Sequence, residues 1–338
     1  MHDFSKPKHI YVYSPSGAVR DKAAFRRGIA RLKVLGHEVE VDEAALASHL
    51  RFAGDDETRL AAIHRAAASG ADIALITRGG YGLTRILNDI EYEKIAQAID
   101  KGTQFVGISD FTAFQCAVLA KTGRVTWAGP ALCEGFGVGG KPKPSDGQAG
   151  GAPQVPDDIM EACFDDLIYG QGEGTGWRQH KETSKNATLS IAENLDNTRA
   201  SADFFTHDAV LWGGNLTVLT SLIGTPYFPK IDGGVLFLED VGEHPYRVER
   251  MLTQLLNSGV LQQQNAIVLG QFTQFKLVPH DRGFKLQSVV DWLRKSTQKP
   301  VLTNLPYGHV ATKVLLPVGA KIDLAVEGRD VMMVWGHL

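Results

Sequence analysis

Alternation of short apolar strands with amphipathic helices in the N-terminal half constrains the fold of this chain more than any other feature. Strand patterns occur at His9–Ser14, Asp72–Thr77 and Gln104–Ile108, and apolar residues at helical spacing fill the stretches between them. Near-continuous apolar strands separated by helices are typical of a parallel sheet covered on both faces. We therefore expect an α/β fold, with functional loops beyond the carboxyl ends of the strands.

The second half of the chain is predicted to be richer in strands. The glycine-rich stretch Gly170–Gly176 is predicted as a linker, which divides the chain into an N-terminal α/β domain, 1–170, and a C-terminal β-rich domain, 171–338. Gly135–Pro156 is dense in Gly, Pro, Lys and Ser, so it is predicted as a mobile surface loop. The strands predicted for the second half include Thr188–Ala192, Val235–Leu238, Lys313–Leu316, Lys321–Val326 and Val331–Trp335.

Charge and composition exclude several classes of protein. Lys and Arg number 35 against 38 Asp and Glu, a net charge of −3 that argues against nucleic acid as a partner. No apolar run approaches the ~18–20 residues of a membrane span, and the N-terminus lacks the pattern of a signal peptide. The three cysteines, with no CxxC pair, fit reduced thiols in a cytoplasmic protein.

No motif in the sequence predicts a cofactor or a metal. The glycine run before Lys141 resembles a phosphate-binding loop, but Pro142 and Pro144 make the required helix improbable. HExxH, paired cysteines and calcium loops are all absent from the sequence, and Glu243 and His244 form an isolated pair. We therefore expect neither a bound cofactor nor a catalytic metal.

Ser109 is the first candidate for chemistry, because it follows the apolar strand Gln104–Ile108 and precedes a helical pattern. A serine in such a turn has the geometry of a nucleophile elbow, although Phe111 replaces the final glycine of G-x-S-x-G. The alternative is that Ser109 or Asp110 caps the helix, a role that both residue types fill often.

Other candidates also follow strands. The glycines of Arg78–Gly82 allow backbone amides to approach a ligand, or serve a turn with positive φ. His309 lies in a loop after the strand Val301–Asn304, where most histidines are merely solvated. Glu239 follows Val235–Leu238, with Asp240 and Glu243 close behind, and these acids are candidate triad carboxylates or an acidic cluster at a helix start. Asn215 is a candidate donor to substrate or a helix cap.

Taken together, these segments resemble the LD-carboxypeptidase family, the muramoyltetrapeptide carboxypeptidase type of serine peptidase. The matching segments are RGGYG, GISDFTAFQ, the long stretch Trp212–Leu255 and the dipeptide Gly308-His309. The resemblance implies an N-terminal α/β sandwich that resembles class I glutamine amidotransferases and carries the serine. It also implies a C-terminal β-rich domain that carries Glu and His, with the active site between the domains. The loop 135–156 looks longer than the family usually carries.

The resemblance also implies roles for individual residues. Ser109 becomes the nucleophile, His309 the general base and Glu239 the carboxylate that orients it, with Glu243 as the alternative acid. The backbone amides of Gly80 and Asp110 would form the oxyanion hole. The residues predicted to contact substrate are Tyr81, Arg85 and Asn215, the last two as candidates for holding a terminal carboxylate.

The expected reaction is acyl transfer on a murein tetrapeptide. The serine attacks the carbonyl between meso-diaminopimelate and the terminal D-alanine, which departs. The family implies a cytoplasmic enzyme of cell-wall recycling, often a homodimer, with no nucleic acid or membrane partner. Two other functions stay open. One is a self-immunity hydrolase of a peptidyl-nucleotide toxin, for which Trp177 is the candidate base-stacking residue, and the other is a non-catalytic muropeptide-binding protein.

Overall fold

The computed structural model describes residues 6–139, 155–180 and 203–338. The chain divides into two compact units. The first consists of 1–172 together with 311–316, and the second of 173–310 together with 317–338. Most of the predicted loop 135–156 and the whole predicted strand Thr188–Ala192 lie outside the described residues.

A six-stranded sheet forms the centre of the first unit, with strand order β11-β5-β4-β3-β1-β2. Neighbouring strands from β2 to β5 pair in parallel. Every residue of β3 is buried, because helices must cover both faces of a parallel sheet. The strands are β1 (His9–Tyr13), β2 (Glu38–Val41), β3 (Ile73–Ile76), β4 (Gln104–Gly107), β5 (Thr126–Ala128) and β11 (Leu316–Val318).

The helices of this unit begin at side-chain caps where the sequence supplies an aspartate. Asp21 accepts hydrogen bonds from two backbone amides, and Asp55 and Asp157 from one each, which satisfies donors that a helix start leaves unpaired. The helices are α1 (Lys22–Val34), α2 (Asp56–Ala68), α3 (Tyr92–Asp100), α4 (Thr112–Thr122) and α5 (Asp158–Ile168). Short turns of 3₁₀-helix occupy Leu83–Arg85, Leu87–Asp89 and Ser109–Phe111, and a π-helical turn occupies Leu132–Phe136.

The second unit contains a seven-stranded mixed sheet, with strand order β10-β9-β8-β7-β12-β13-β6. Strands β7 to β10 pair in parallel, while β12, β13 and β6 continue the sheet in antiparallel fashion. The strands are β6 (Gly174–Arg178), β7 (Phe204–Asn215), β8 (Val235–Val241), β9 (Ala266–Thr273), β10 (Val301–Leu302), β12 (Lys321–Glu327) and β13 (Asp330–Val334). The helices are α6 (Leu216–Ser221), α7 (Pro245–Asn257) and α8 (Leu286–Thr297), with a 3₁₀ turn at Pro279–Asp281.

The structure confirms the predicted α/β class and corrects two local assignments. The linker predicted at Gly170–Gly176 is wrong in its second half, because residues from Gly174 onward form β6 and pair with β13 at the edge of the sheet. The strand predicted at Lys313–Leu316 begins instead at Leu316 and passes through Pro317. Glycine and proline normally interrupt strands, but β6 and β11 are edge strands, where both residues are tolerated.

The candidate functional residues lie at or just after the ends of strands in both sheets. In the first unit, the loops after β1, β3 and β4 contain Gly17, the glycines of 79–82 and Ser109. In the second unit, Asn215 ends β7 and Glu239 lies near the end of β8. In the part of the chain that the structure describes, no helix is both long and apolar enough to cross a membrane.

Candidate active site

Ser109 follows β4 in a strained backbone conformation. Its φ is +68°, in the left-handed region that residues with a side chain rarely adopt. Neither Ser109 nor Asp110 accepts a capping hydrogen bond from the start of α4, so the helix-cap interpretation of this segment is wrong. A serine in left-handed conformation between a buried strand and a helix matches the geometry of a nucleophile elbow.

The loop after β3 lies directly against Ser109. A Cβ atom on Gly79 would lie 2.5 Å from Ser109 Cβ and 2.8 Å from its Oγ, so only glycine allows this approach. Gly80, the next residue, has a φ of +122°, which also favours glycine. The short arginine–glycine motif thus brings backbone next to the serine, at the place where the amide of Gly80 is predicted to stabilise an oxyanion.

Asp110 connects this loop to the loop after β1. Its carboxylate is 2% exposed and accepts hydrogen bonds from Ser16 Oγ at 2.6 Å and from the Leu83 amide at 2.9 Å. Burial raises the pKa of the Asp110 carboxyl, while these hydrogen bonds and the nearby Arg59 charge oppose that shift. The side chain beside the candidate nucleophile therefore holds two neighbouring loops in place.

Arg59 of α2 holds the same two loops from the other side. The side chain is fully buried, and its Nη1 donates to the carbonyls of Pro15, at 3.2 Å, and Gly82, at 2.9 Å. Its Nη2 pairs with Asp56. The sequence analysis missed this residue, since an arginine on a helix that is predicted to be amphipathic is ordinarily a solvated side chain.

Arg85 and Tyr81, both predicted to contact substrate, have other partners. Arg85 donates to Asp56 from Nε at 3.1 Å and from Nη2 at 2.8 Å, and its guanidinium lies over the Phe52 ring. Tyr81 is 45% exposed, and its ring centroid lies 5.9 Å from that of Phe52. A carboxylate that already occupies the guanidinium removes the argument for Arg85 as the substrate anchor.

In the second unit, Glu239 and His309 form a hydrogen-bonded pair. The Glu239 side chain is fully buried in β8, and its Oε2 lies 2.8 Å from His309 Nδ1. Gly308, with a φ of +139°, precedes the histidine, and a Cβ there would lie 3.3 Å from Glu239 Oε2. Glu243, the alternative acid, instead lies 3.7 Å from Arg247, so the geometry favours Glu239 as the partner of His309.

Asn215 and Asp240 surround the buried carboxylate. Asn215 Nδ2 donates to Glu239 Oε1 and to Asp240 Oδ1, each at 3.1 Å, while its Oδ1 accepts from the Val218 amide as the cap of α6. Burial and the neighbouring Glu239 charge raise the pKa of Asp240, whereas hydrogen bonds from Thr217 lower it. Asn215 therefore both caps a helix and fixes Glu239, and its amide is engaged within the protein.

The described residues contain no group of three or more His, Cys, Asp or Glu side chains that could hold a metal ion. His244, which the sequence analysis considered as a ligand beside Glu243, pairs with Asp281 at 3.1 Å. Cys116, Cys133 and Cys163 are free thiols.

Comparison with known families assigns both halves of the chain. Residues 10–129 match the model of the LD-carboxypeptidase N-terminal domain, and residues 208–324 match that of the C-terminal domain. A crystal structure of muramoyltetrapeptide carboxypeptidase from Oxalobacter formigenes is 36% identical, with a TM-score of 0.78, and covers 97% of this chain and 98% of its own. The chain belongs to the LD-carboxypeptidase family.

Two relatives of this LD-carboxypeptidase family member are named for different activities. The probable murein peptide carboxypeptidase of Bacillus subtilis is 29% identical over 86% of this chain and 80% of its own length. The microcin C7 self-immunity protein MccF of Escherichia coli is 26% identical over 78% of this chain and 73% of its own length. The family and these names support a serine peptidase, and the substrate is a separate question.

Proposed function

We propose that this protein is a serine LD-carboxypeptidase that releases the terminal D-alanine from murein tetrapeptides. The observation that carries the proposal is the pair of Glu239 and His309, a fully buried carboxylate 2.8 Å from an imidazole Nδ1. A buried carboxylate at Nδ1 holds the tautomer in which Nε2 accepts a proton, as a catalytic triad requires. Ser109, strained and contacted by Gly79, is the matching nucleophile.

In the proposed reaction, Ser109 Oγ attacks the carbonyl carbon of meso-diaminopimelate while His309 Nε2 takes the hydroxyl proton. The oxyanion forms beside the loop after β3, where the amides of Gly80 and Asp110 are the proposed donors. Collapse of the tetrahedral intermediate breaks the C–N bond, and His309 returns the proton to the leaving D-alanine nitrogen. Water then attacks the acyl-enzyme, with His309 again as base, and regenerates Ser109.

Release of D-alanine from purified tetrapeptide tests this proposal. The wild-type protein is expected to release D-alanine in the presence of a chelator, and Ser109→Ala to lose at least about 10³-fold in kcat. Ser221→Ala is the matched control, because Ser221 is exposed and its Oγ donates within α6. Retention of most activity by Ser109→Ala contradicts the nucleophile assignment, and tight tetrapeptide binding without turnover by the wild type favours a binding protein.

The second candidate is hydrolysis of a peptidyl-nucleotide toxin, favoured by the similarity to the microcin self-immunity protein. Trp177, the aromatic residue considered for base stacking, is 9% exposed, and its Nε1 donates to the Thr303 carbonyl at 3.0 Å. This engagement favours the packing role. Parallel assays with tetrapeptide and an aminoacyl-nucleotide decide between the two, and preference for the nucleotide would overturn the carboxypeptidase proposal. Cytoplasmic location and a homodimer stay predictions from the family resemblance.

A further inference from the structure

Neither of the two residues that the sequence offered as receptors for the terminal carboxylate of the substrate is available for that role in the structure. This inference rests on the proposed function, since an enzyme that removes one terminal residue must distinguish a free carboxylate from a continuing chain. Buried or partly buried cations serve this purpose through charge-assisted hydrogen bonds. Both candidates from the sequence are engaged, Arg85 by Asp56 and the Asn215 amide by Glu239 and Asp240.

Arg78 is the cation nearest in sequence to the loop that contacts the nucleophile. It immediately precedes Gly79, which lies against Ser109. Its Nη1 lies over the backbone of two glycines, because a Cβ on Gly17 would lie 2.3 Å from that atom and a Cβ on Gly80 would lie 2.9 Å from it. The guanidinium therefore covers the same stretch of backbone that is proposed to stabilise the oxyanion.

The Arg78 side chain is mostly buried, and its ion pair with Glu134 is long. The side chain is 14% exposed, and its nearest carboxylate oxygen, on Glu134, lies 3.8 Å from Nε, beyond hydrogen-bond distance. Within the described ranges, the structure gives no hydrogen bond donated by the guanidinium nitrogens of Arg78. The guanidinium nitrogens still reach water, and an anionic ligand would replace that water with charge-assisted hydrogen bonds.

The geometry of a terminal residue matches this position. The attacked carbonyl carbon and the terminal carboxylate carbon of the substrate are separated by three bonds, about 3–4 Å. A charge-assisted hydrogen bond between the carboxylate oxygen and a guanidinium nitrogen adds about 2.8 Å to this separation. The receptor must therefore lie within about 8 Å of the reacting carbon, a distance that an arginine on the loop against the nucleophile can span. We propose that Arg78 binds the terminal carboxylate of the substrate and thereby sets the exopeptidase specificity.

A comparison of two substrates tests the role of Arg78. The tetrapeptide and its C-terminal carboxamide differ only in the terminal charge, and kcat/KM is measured for each by release of D-alanine or D-alaninamide. We expect the wild type to prefer the free acid by about 10- to 100-fold. Arg78→Met should lose that preference by slowing cleavage of the acid alone, and Arg78→Lys should retain part of it.

The controls are two other arginines of the same unit. Arg51, which lies over the Tyr81 ring, and Arg85, which pairs with Asp56, are each changed to Met and should leave the preference for the acid unchanged. An equal loss on both substrates in Arg78→Met, a preserved preference, or loss of preference in Arg51→Met or Arg85→Met overturns the inference. Arg78→Gln replaces the Met variant if the latter does not fold. A wild type that releases no D-alanine refutes the proposed function instead.

Discussion

Substitution of Gly79 by alanine is expected to disable the enzyme while the protein still folds. The added Cβ would lie 2.5 Å from Ser109 Cβ, whereas carbon atoms in contact prefer about 3.5–4.0 Å. The serine must therefore move by about 1 Å, and the φ of Gly79 itself is not in the left-handed region. A displacement of this size at a reacting group costs about 10²-fold in rate. Overpacking of this kind typically lowers the free energy of unfolding by about 1–3 kcal/mol.

The assay for Gly79→Ala is kcat for D-alanine release together with urea unfolding of the same preparation. Gly28→Ala is the matched control, because the added Cβ on α1 would lie 2.8 Å from Leu132 Cγ, a comparable overlap away from Ser109. We expect both variants to fold and only Gly79→Ala to lose about 100-fold in kcat. A folded Gly79→Ala with nearly wild-type kcat would refute the claim that this loop positions the nucleophile.

Three further predictions concern the same chemistry. Glu239→Gln should lower kcat by about 10³–10⁴-fold, because the imidazole loses its orienting charge, whereas Glu243→Gln should change kcat by only a few-fold. If steady-state assays show the larger loss in Glu243→Gln, Glu243 is the acid that orients His309. In urea unfolding, the free energy of unfolding of Ser109→Gly should exceed that of Ser109→Ala by about 1 kcal/mol, because alanine keeps the left-handed strain at φ +68° and glycine does not. Equal free energies of unfolding would argue against strain at this position. Burial raises the pKa of Cys116 and of Cys133 to about 12, so both remain protonated thiols at pH 8. Iodoacetamide should therefore neither label these two cysteines in the folded protein nor inhibit its activity. Rapid inactivation, with labelling of either cysteine in the mass spectrum, would implicate a thiol in the reaction.

Much of the fold could be predicted from the sequence because the signal is local. The apolar runs of β3 and β4 are long enough to be recognised, and a strand buried on both faces leaves few polar positions. The same reasoning was wrong for β6 and β11, where glycine and proline suggest interruptions. Those two strands depend on their place at the edge of a sheet, which no short window of sequence reveals.

The candidate site was predictable only in part. The local pattern identified Ser109 as a residue at a strand end, but it equally allowed a helix cap, because serine satisfies both roles. It did not distinguish Glu239 from Glu243, which lie four residues apart. In the structure, Gly308 pairs with Gln271 of β9. The adjacent His309 thereby contacts Glu239, and this contact distinguishes the two acids.

The sequence by itself determined the α/β class, the positions of most strands and the glycines that leave room around Ser109, because periodicity and residue size act over a few neighbours. Only the tertiary structure decided which polar and charged groups meet. Asp110 with Ser16, and His309 with Glu239, are contacts between residues 94 and 70 positions apart. Such contacts exist only after distant strand ends lie side by side, and burial of the Asp110 and Glu239 carboxylates then makes loss of their partners costly.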